Sequence, residues 1–199
     1  MMQPIPPRHS DWHAAPSPSF NRQQKYWLFR PGALTSGLRQ LGDVQLRVAQ
    51  EYAQGLLPAE SWMLGRPAHS PVWVREIIMA INGTDSVFAR SFTPLIASHS
   101  WWQGMRRLRT RPLADMLYHN PQIIRSPFFS CRLREQNPLY RTAAAILAEN
   151  CPPAQKILAR CSVFWRQGQP LLVAEGFLPA FWGVAAKAAY DRGLSPASV

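Results

Sequence analysis

The stretch from Trp73 to Pro94 constrains the fold most strongly, because it predicts a long β-hairpin. Residues 73–81 are rich in Trp, Val, Ile and Met, which favour strands. Asn82-Gly83 is a turn signal, since both residues tolerate positive φ. Residues 86–93 resume with Val, Phe and Thr before a proline ends the run. The sequence therefore predicts two antiparallel strands joined by a tight turn.

Two arginines of this hairpin stand among apolar residues. Alternation of side chains along the first strand places Arg75 in a row with Ile77 and Met79. A loop of two or four residues puts Arg90 on the same face as Arg75, whereas a loop of three or five residues puts it on the other face. We expect a loop with an even number of residues, and therefore two arginines on one apolar face.

A buried arginine without a partner costs several kcal/mol, so each of these guanidinium groups should meet a carboxylate. That carboxylate can belong to the protein or to a ligand. The alternative for Arg75 and Arg90 is that both pair with internal acids or lie at a solvated end of the sheet.

A second hairpin is predicted near the end of the chain. Ser162–Arg166 forms one strand, residues 167–170 form the turn, and Leu171–Pro179 forms the returning strand. Alternation places Glu175 in an apolar row with Val173 and Phe177. Burial disfavours a lone carboxylate, so Glu175 should be hydrogen-bonded, paired with an internal arginine, or functional.

The net charge of +11 raises the question of a nucleic-acid partner. The densest basic run is Arg106 to Arg111. The sequence has no helix-turn-helix spacing, zinc finger or RNA-binding aromatic signature. We therefore interpret the run as a solvated basic face that also attracts anionic metabolites, and we expect no nucleic-acid partner.

The three cysteines are an odd number without CxxC spacing, which fits reduced thiols in a cytoplasmic protein. No His/Cys cluster has the spacing of metal ligands, so no metal is expected. No apolar stretch approaches the ~18 residues of a membrane span, and no signal pattern begins the chain. These features predict a cytoplasmic protein that is not inserted in a membrane.

Residues 1–24 contain five prolines by position 18, and we expect a mobile arm there, followed by one domain over residues 25–199. Before the first hairpin the chain predicts a helix over 34–41 and a strand over 44–50. Between the hairpins it predicts helices that begin at Pro112 and Pro138. Strands and helices in this order predict an α+β domain.

The chain resembles the chorismate pyruvate-lyases. Four segments carry the resemblance, and together they cover roughly residues 26–182. They are Gly32-Ala33-Leu34-Thr35 with the strand at 44–52, the WVREI…ARSFTP hairpin, Leu108 to Tyr118, and LLVAEGFLPA at 171–180.

The resemblance implies an α+β fold in which helices pack around a single antiparallel β-sheet and flaps close a buried ligand pocket. It implies that Arg75 holds a ring carboxylate, Arg90 holds an enolpyruvyl carboxylate, and Glu175 faces a ring hydroxyl as a general acid/base or orienting group. Backbone groups near Leu34 and Leu113 complete the pocket. The catalytic set implied is therefore Glu175, Arg75 and Arg90.

The implied reaction eliminates pyruvate from chorismate to give 4-hydroxybenzoate, the first committed step of ubiquinone biosynthesis. Aromatisation drives the reaction, so no cofactor is expected, and the implied protein is a monomer. This chain departs from the family at Arg109, Ala114 and Ala174, where glycines and a threonine are usual. The alternative is a non-catalytic module of the same fold that binds or senses aromatic carboxylates.

Overall fold

An antiparallel sheet lies at the centre of the fold, as a computed structural model of the chain shows. The structure describes residues 6–7, 10–118 and 120–191. Within these residues seven strands form one sheet in the order β1-β2-β3-β7-β6-β4, and β5 also pairs with β6. The strands are β1 (Val44–Gly55), β2 (Pro71–Ile81), β3 (Thr84–Pro94), β4 (Ile124–Arg125), β5 (Phe129–Arg132), β6 (Leu158–Arg166) and β7 (Gln169–Phe177).

Seven short or medium helices surround the sheet in the described part of the chain. They are α1 (Arg22–Phe29), α2 (Leu34–Leu38), α3 (Ser61–Leu64), α4 (Leu95–Ser98), α5 (Ala114–Leu117), α6 (Pro138–Leu147) and α7 (Pro179–Asp191). Local chemistry sets their starts: Asn21 and Gln24 form a capping box at α1, and Asn137 caps α6. The α+β prediction with one antiparallel sheet is confirmed.

The two faces of the sheet pack against different helices. We call the side of β2 that carries Val74, Glu76 and Ile78 the α6 face, because α3 and α6 cover it. The opposite side, which carries Ile77 and Met79, is the α1 face. Helices α1, α2 and α7 cover one part of the α1 face, and the segment from α4 to α5 covers another.

A β-bulge in β3 decides the face on which Arg90 lies. The two-residue turn at Asn82-Gly83 is present, with φ of 49° and 79°. Ala80 pairs with Asp85 but Met79 pairs with Val87, so Ser86 is an extra residue in β3. One extra residue reverses the alternation of every later side chain. The predicted common face is therefore wrong: Arg75 lies opposite Ser91, and Arg90 lies opposite Glu76.

On the α6 face Arg90 is the centre of a buried ion-pair network. Its Nε donates to Glu60 Oε1 at 3.0 Å, and its Nη1 donates to Glu76 Oε1 at 2.6 Å and to the Tyr52 hydroxyl at 3.0 Å. Thr142 also donates to Glu76 Oε1, at 2.7 Å. Burial opposes the charged form of Arg90, but Glu60 and Tyr52 together outweigh burial and raise the pKa of Arg90. Protein carboxylates thus satisfy this guanidinium.

The N-terminal segment differs from the mobile arm predicted over residues 1–24. Trp12 is buried in the apolar cluster on the α6 face, and Phe20 is buried in the cluster with α1 and α7. His13 and Ser130 exchange two backbone hydrogen bonds of 2.9 Å, so the segment adds a bridge to β5. Two aromatic anchors therefore dock residues 10–24. The rest of the predicted arm, residues 1–5 and 8–9, lies outside the described residues, as do residues 192–199.

The buried position of Trp12 predicts that Trp12→Ala lowers the free energy of unfolding by about 3–5 kcal/mol, because a large apolar contact is lost and a cavity remains. Urea unfolding measures this loss. Trp101→Ala, at a tryptophan that is 44% exposed, is the matched control and should cost less than about 1 kcal/mol. Equal midpoints for the two variants would show that the N-terminal segment does not contribute to stability.

The Arg90 network predicts that Arg90→Gln destabilises the protein by about 3–5 kcal/mol, because Glu60 and Glu76 lose the charge that compensates them. The control is Arg47→Gln, which breaks a surface pair with Asp85 and should cost at most about 1 kcal/mol. A cost for Arg90→Gln no larger than that of the control would contradict a structural role for the network.

Candidate active site

Two cross-strand rows of side chains on the α1 face form the floor of the site. The β2, β3, β7 and β6 pairings place one residue of each strand side by side in each row. The first row is Ile77, Ala89, Glu175 and Arg160, and the second row is Arg75, Ser91, Val173 and Ser162. The register of four strands therefore brings Arg75 and Glu175 to one face.

A largely apolar pocket lies over these rows. Its walls come from the start of α2, from the segment 112–118, and from Phe128 and Phe164. Leu34 and Leu113, the two residues predicted near the backbone contacts, both line it. The polar groups of the pocket are few: they are Thr35, Ser91, Tyr118, Arg160, Ser162 and Glu175. Small-molecule sites commonly combine apolar walls with a small number of placed polar groups.

Glu175 is held by an arginine that the sequence analysis did not identify. Arg160 Nε donates to Glu175 Oε2 at 2.6 Å, and only 1% of the Arg160 side chain is exposed. Its Nη1 also donates to the backbone carbonyls of Trp27 and Arg30, which ties β6 to the end of α1. The open alternative of an internal Glu–Arg pair is therefore correct for Glu175, which also lines the pocket.

The sequence feature that would have identified Arg160 as the partner of Glu175 is the turn of the second hairpin. The turn contains only Gln167 and Gly168, both with positive φ, and this turn pairs Arg166 with Gln169 and Arg160 with Glu175. We expected a four-residue turn and a strand that begins at Ser162. A prediction with a two-residue turn and a longer strand before it would have placed Arg160 opposite Glu175.

Arg75 stands at the edge of the pocket, in the same row as the pocket residue Ser91. Its Nη1 donates to Glu51 Oε1 at 3.1 Å, and its Nη2 donates to the backbone carbonyls of Arg109 at 2.7 Å and Arg111 at 3.3 Å. Burial lowers the pKa of Arg75, and Glu51 opposes that shift. Arg75 thereby holds the segment that leads into Leu113 against the sheet.

A second group of basic residues borders the pocket near Tyr118 and Phe128. The Arg125 guanidinium carbon lies 4.0 Å from the centre of the Phe128 ring, and that of Arg160 lies 4.4 Å from the same ring. The Tyr118 hydroxyl donates to the carbonyl of Gly32 at 2.9 Å. Burial raises the pKa of Tyr118, and Arg125 opposes the shift. Two guanidinium groups therefore lie beside this end of the pocket, and one of them is paired with Glu175.

The structure brings four of the five predicted site residues to this region, namely Arg75, Glu175, Leu34 and Leu113. It does not bring Arg90, which lies on the α6 face. Of the departures noted in the sequence, Ala114 lines the pocket, Arg109 receives the Arg75 hydrogen bond, and Ala174 pairs with Arg90 away from the site.

The part of the chain that the structure describes has neither a group of metal ligands nor a membrane-spanning helix. No three His, Cys, Asp or Glu side chains there are grouped so that they could hold a metal ion. None of the helices described has the length and apolar character needed to cross a membrane.

Comparison with known folds and sequences supplies an independent observation. Two solved structures resemble this fold: the effector domain of PhnF from Mycobacterium smegmatis (TM-score 0.50, 13% identity, 75% of this chain and 90% of that chain) and PhnF itself (TM-score 0.51, 13% identity, 75% and 65%). At this identity the likeness concerns the fold alone.

Similarity in sequence is much higher to two bacterial proteins. A probable chorismate pyruvate-lyase of Bordetella pertussis is 58% identical over 93% of this chain and 96% of its own length. A second, from Pseudomonas entomophila, is 38% identical over 87% of this chain and 91% of its own length. The chorismate lyase family model matches residues 8–187. The chain therefore belongs to the chorismate lyase family.

Proposed function

We propose that this protein is a chorismate pyruvate-lyase, which eliminates pyruvate from chorismate to give 4-hydroxybenzoate at the start of ubiquinone biosynthesis. The observation that carries the proposal is the α1-face pocket, where Arg75 and Glu175 occupy adjacent rows of the floor beneath apolar walls. An arginine and a carboxylate at opposite ends of an apolar slot match a ring that bears a carboxylate and a hydroxyl.

The spacing of the two residues suits a six-membered ring. Arg75 on β2 and Glu175 on β7 are separated by β3 and by two residues along the strands. With strands about 4.8 Å apart and a rise of about 3.3 Å per residue, their backbones lie roughly 12 Å apart. Both residues lie on the α1 face of the sheet, and a separation of this size suits one ring with a substituent at each end.

Arg75 binds the ring carboxylate in this proposal. Glu51 and the carbonyls of Arg109 and Arg111 fix the orientation of its guanidinium before the substrate arrives. A pre-oriented arginine fork binds a carboxylate with less loss of entropy than a free side chain. The same hydrogen bonds position Leu113, whose backbone completes the contact to the substrate.

Glu175 faces the ring hydroxyl, and Arg160 holds its carboxylate in place. In the reaction the bond between the ring carbon and the enolpyruvyl oxygen breaks, and the neighbouring ring carbon loses its proton. The ring becomes aromatic, and the enolpyruvate released takes up a proton on its methylene carbon to become pyruvate. Glu175 orients the hydroxyl or accepts the ring proton, and the apolar walls hold the enolpyruvyl group in a reactive pose.

The same proposal includes a cytoplasmic monomer that acts without a nucleic-acid partner. The surface near the pocket is basic: Arg109 and Arg111 are exposed beside the wall residues Pro112 and Leu113. Such a surface attracts a dianionic substrate to the pocket, since like-signed charge around a cleft raises the local concentration of its counter-ion.

The first test of the function is to incubate the purified protein with chorismate without added metal or cofactor. We expect 4-hydroxybenzoate and pyruvate in equal amounts, and Glu175→Gln should lower kcat at least ~10²-fold, the scale of general acid/base assistance. Glu149→Gln, at an exposed glutamate, is the control and should keep the wild-type rate. Binding of 4-hydroxybenzoate without turnover by the wild type would favour a sensing module instead.

The basic surface predicts a salt effect on kcat/KM for chorismate. Raising the ionic strength from about 0.02 M to about 0.3 M should lower kcat/KM by about tenfold, because screening shortens the reach of the field. Replacing Arg109 and Arg111 together with Gln should remove most of this dependence. Replacing the exposed Arg39 and Arg141 together with Gln is the control of equal charge. An identical salt dependence in both variants would show that the local surface does not guide the substrate.

A further inference from the structure

The proposed substrate carries two carboxylates, whereas Arg75 accounts for one. Arg90 was expected to bind the second, but Glu60 and Glu76 already surround its guanidinium on the α6 face. A buried arginine that two carboxylates hold is neutralised, and it offers little attraction to a further anion. The second carboxylate therefore requires another cation on the α1 face.

Two arginine side chains, Arg125 and Arg160, meet at the end of the pocket near Glu175, and the backbone of Arg30 contacts Arg160. We call Arg30, Arg125 and Arg160 the arginine cluster. The Phe128 ring, which lines the pocket, contacts both Arg125 and Arg160. Arg160 donates to the carbonyl of Arg30 at 3.4 Å. Among the described residues Glu175 is the carboxylate that the structure places in ion-pair contact with this cluster, through Arg160. The two positive charges of Arg125 and Arg160 exceed the one negative charge of Glu175, and Arg30 adds a further positive charge nearby, between α1 and α2.

The cluster also contains donors without acceptors. Within the described part of the chain, Arg125 Nη1 and Arg30 Nε are buried and have no hydrogen-bond partner. Buried donors in proteins are nearly always satisfied, and an unsatisfied charged donor is especially costly. Arg160 differs from these two, because its Nε and Nη1 both donate to protein acceptors. The unused binding capacity therefore lies with Arg125 and Arg30.

Of the two, Arg125 is better placed to contact a ligand. Arg30 packs over Trp27 and over Gly37, where a Cβ atom would overlap its Nη1, so its guanidinium is confined between α1 and α2. Arg125 belongs to the two-residue edge strand β4 and lies against Phe128 in the pocket wall. Arg30 therefore contributes positive charge from its position between α1 and α2, whereas Arg125 contributes the hydrogen-bond donor to the ligand.

We propose that Arg125, supported by Arg30, binds the second carboxylate of the substrate, which is the one on the enolpyruvyl group. The proposal rests on the proposed function, since it assigns a subsite for the group that leaves as pyruvate. It predicts that Arg125 distinguishes substrate from product: chorismate carries this carboxylate, and 4-hydroxybenzoate does not.

The test measures kcat/KM for chorismate and Kd for 4-hydroxybenzoate in Arg125→Gln. We expect kcat/KM to fall at least about tenfold, as for a lost charge-assisted hydrogen bond, while Kd for 4-hydroxybenzoate changes less than about twofold. Arg125→Lys keeps the positive charge but lacks the two parallel donors of the guanidinium, so it should retain a higher kcat/KM than Arg125→Gln. Arg132→Gln is the matched control, because Arg132 is an exposed arginine that also lies over a phenylalanine ring, that of Phe20.

Two results would overturn the subsite while the lyase function stands. One is an unchanged kcat/KM in Arg125→Gln, and the other is an equal loss of chorismate turnover and 4-hydroxybenzoate binding. Failure of the wild type to turn over chorismate would refute the lyase function instead. In that case the subsite is tested by binding alone, as the Kd for chorismate divided by the Kd for 4-hydroxybenzoate. The subsite requires this ratio to rise in Arg125→Gln, and an unchanged ratio excludes it.

Discussion

One extra residue in a β-strand determines which charged groups share a face of the sheet. The bulge at Ser86 reverses the alternation of β3, so that Arg90 lies opposite Glu76 instead of joining Arg75. Because the period of a strand is two residues, a single insertion moves the whole set of later side chains. The same shift brings Ala89 and Ser91 into the floor of the pocket. The composition of both the core network and the candidate active site depends on this register.

The two faces of the sheet differ in how completely their buried arginines are paired with acceptors. On the α6 face the Arg90 guanidinium has Glu60, Glu76 and Tyr52 as partners, and Thr142 donates to Glu76 as well. On the α1 face Arg125 and Arg160 lie beside one glutamate, and among the described residues Arg125 and Arg30 have buried donors without acceptors. A network with complete compensation stabilises a core, whereas an incomplete one favours an anionic ligand that supplies the missing acceptors. This difference separates Arg90, which we regard as structural, from Arg125, to which we assign a substrate carboxylate.

Rigid elements hold each polar group of the candidate active site. Glu175 and Arg160 lie on adjacent central strands, and Arg75 is fixed by Glu51 on β1 and by two carbonyls of the segment before Leu113. An elimination driven by aromatisation requires little covalent chemistry from the protein. Precise placement of the substrate by groups that are already oriented is therefore the main contribution that such a site can make.

The sequence by itself determined the two hairpins, the apolar rows that contain Arg75 and Glu175, and the helix that begins at Pro138, because turn chemistry, alternation and the proline preference for helix starts act over a few neighbouring residues. Only the tertiary structure decided the bulge at Ser86, the pairing of Arg160 with Glu175 and the burial of Trp12. A bulge leaves no local signal in β3, since either register satisfies the Asn82-Gly83 turn. The burial of Trp12 depends on residues far along the chain that pack against it. Partners distant in sequence select among conformations that local chemistry leaves equivalent, and here they also decided which arginines lie on the face of the candidate active site.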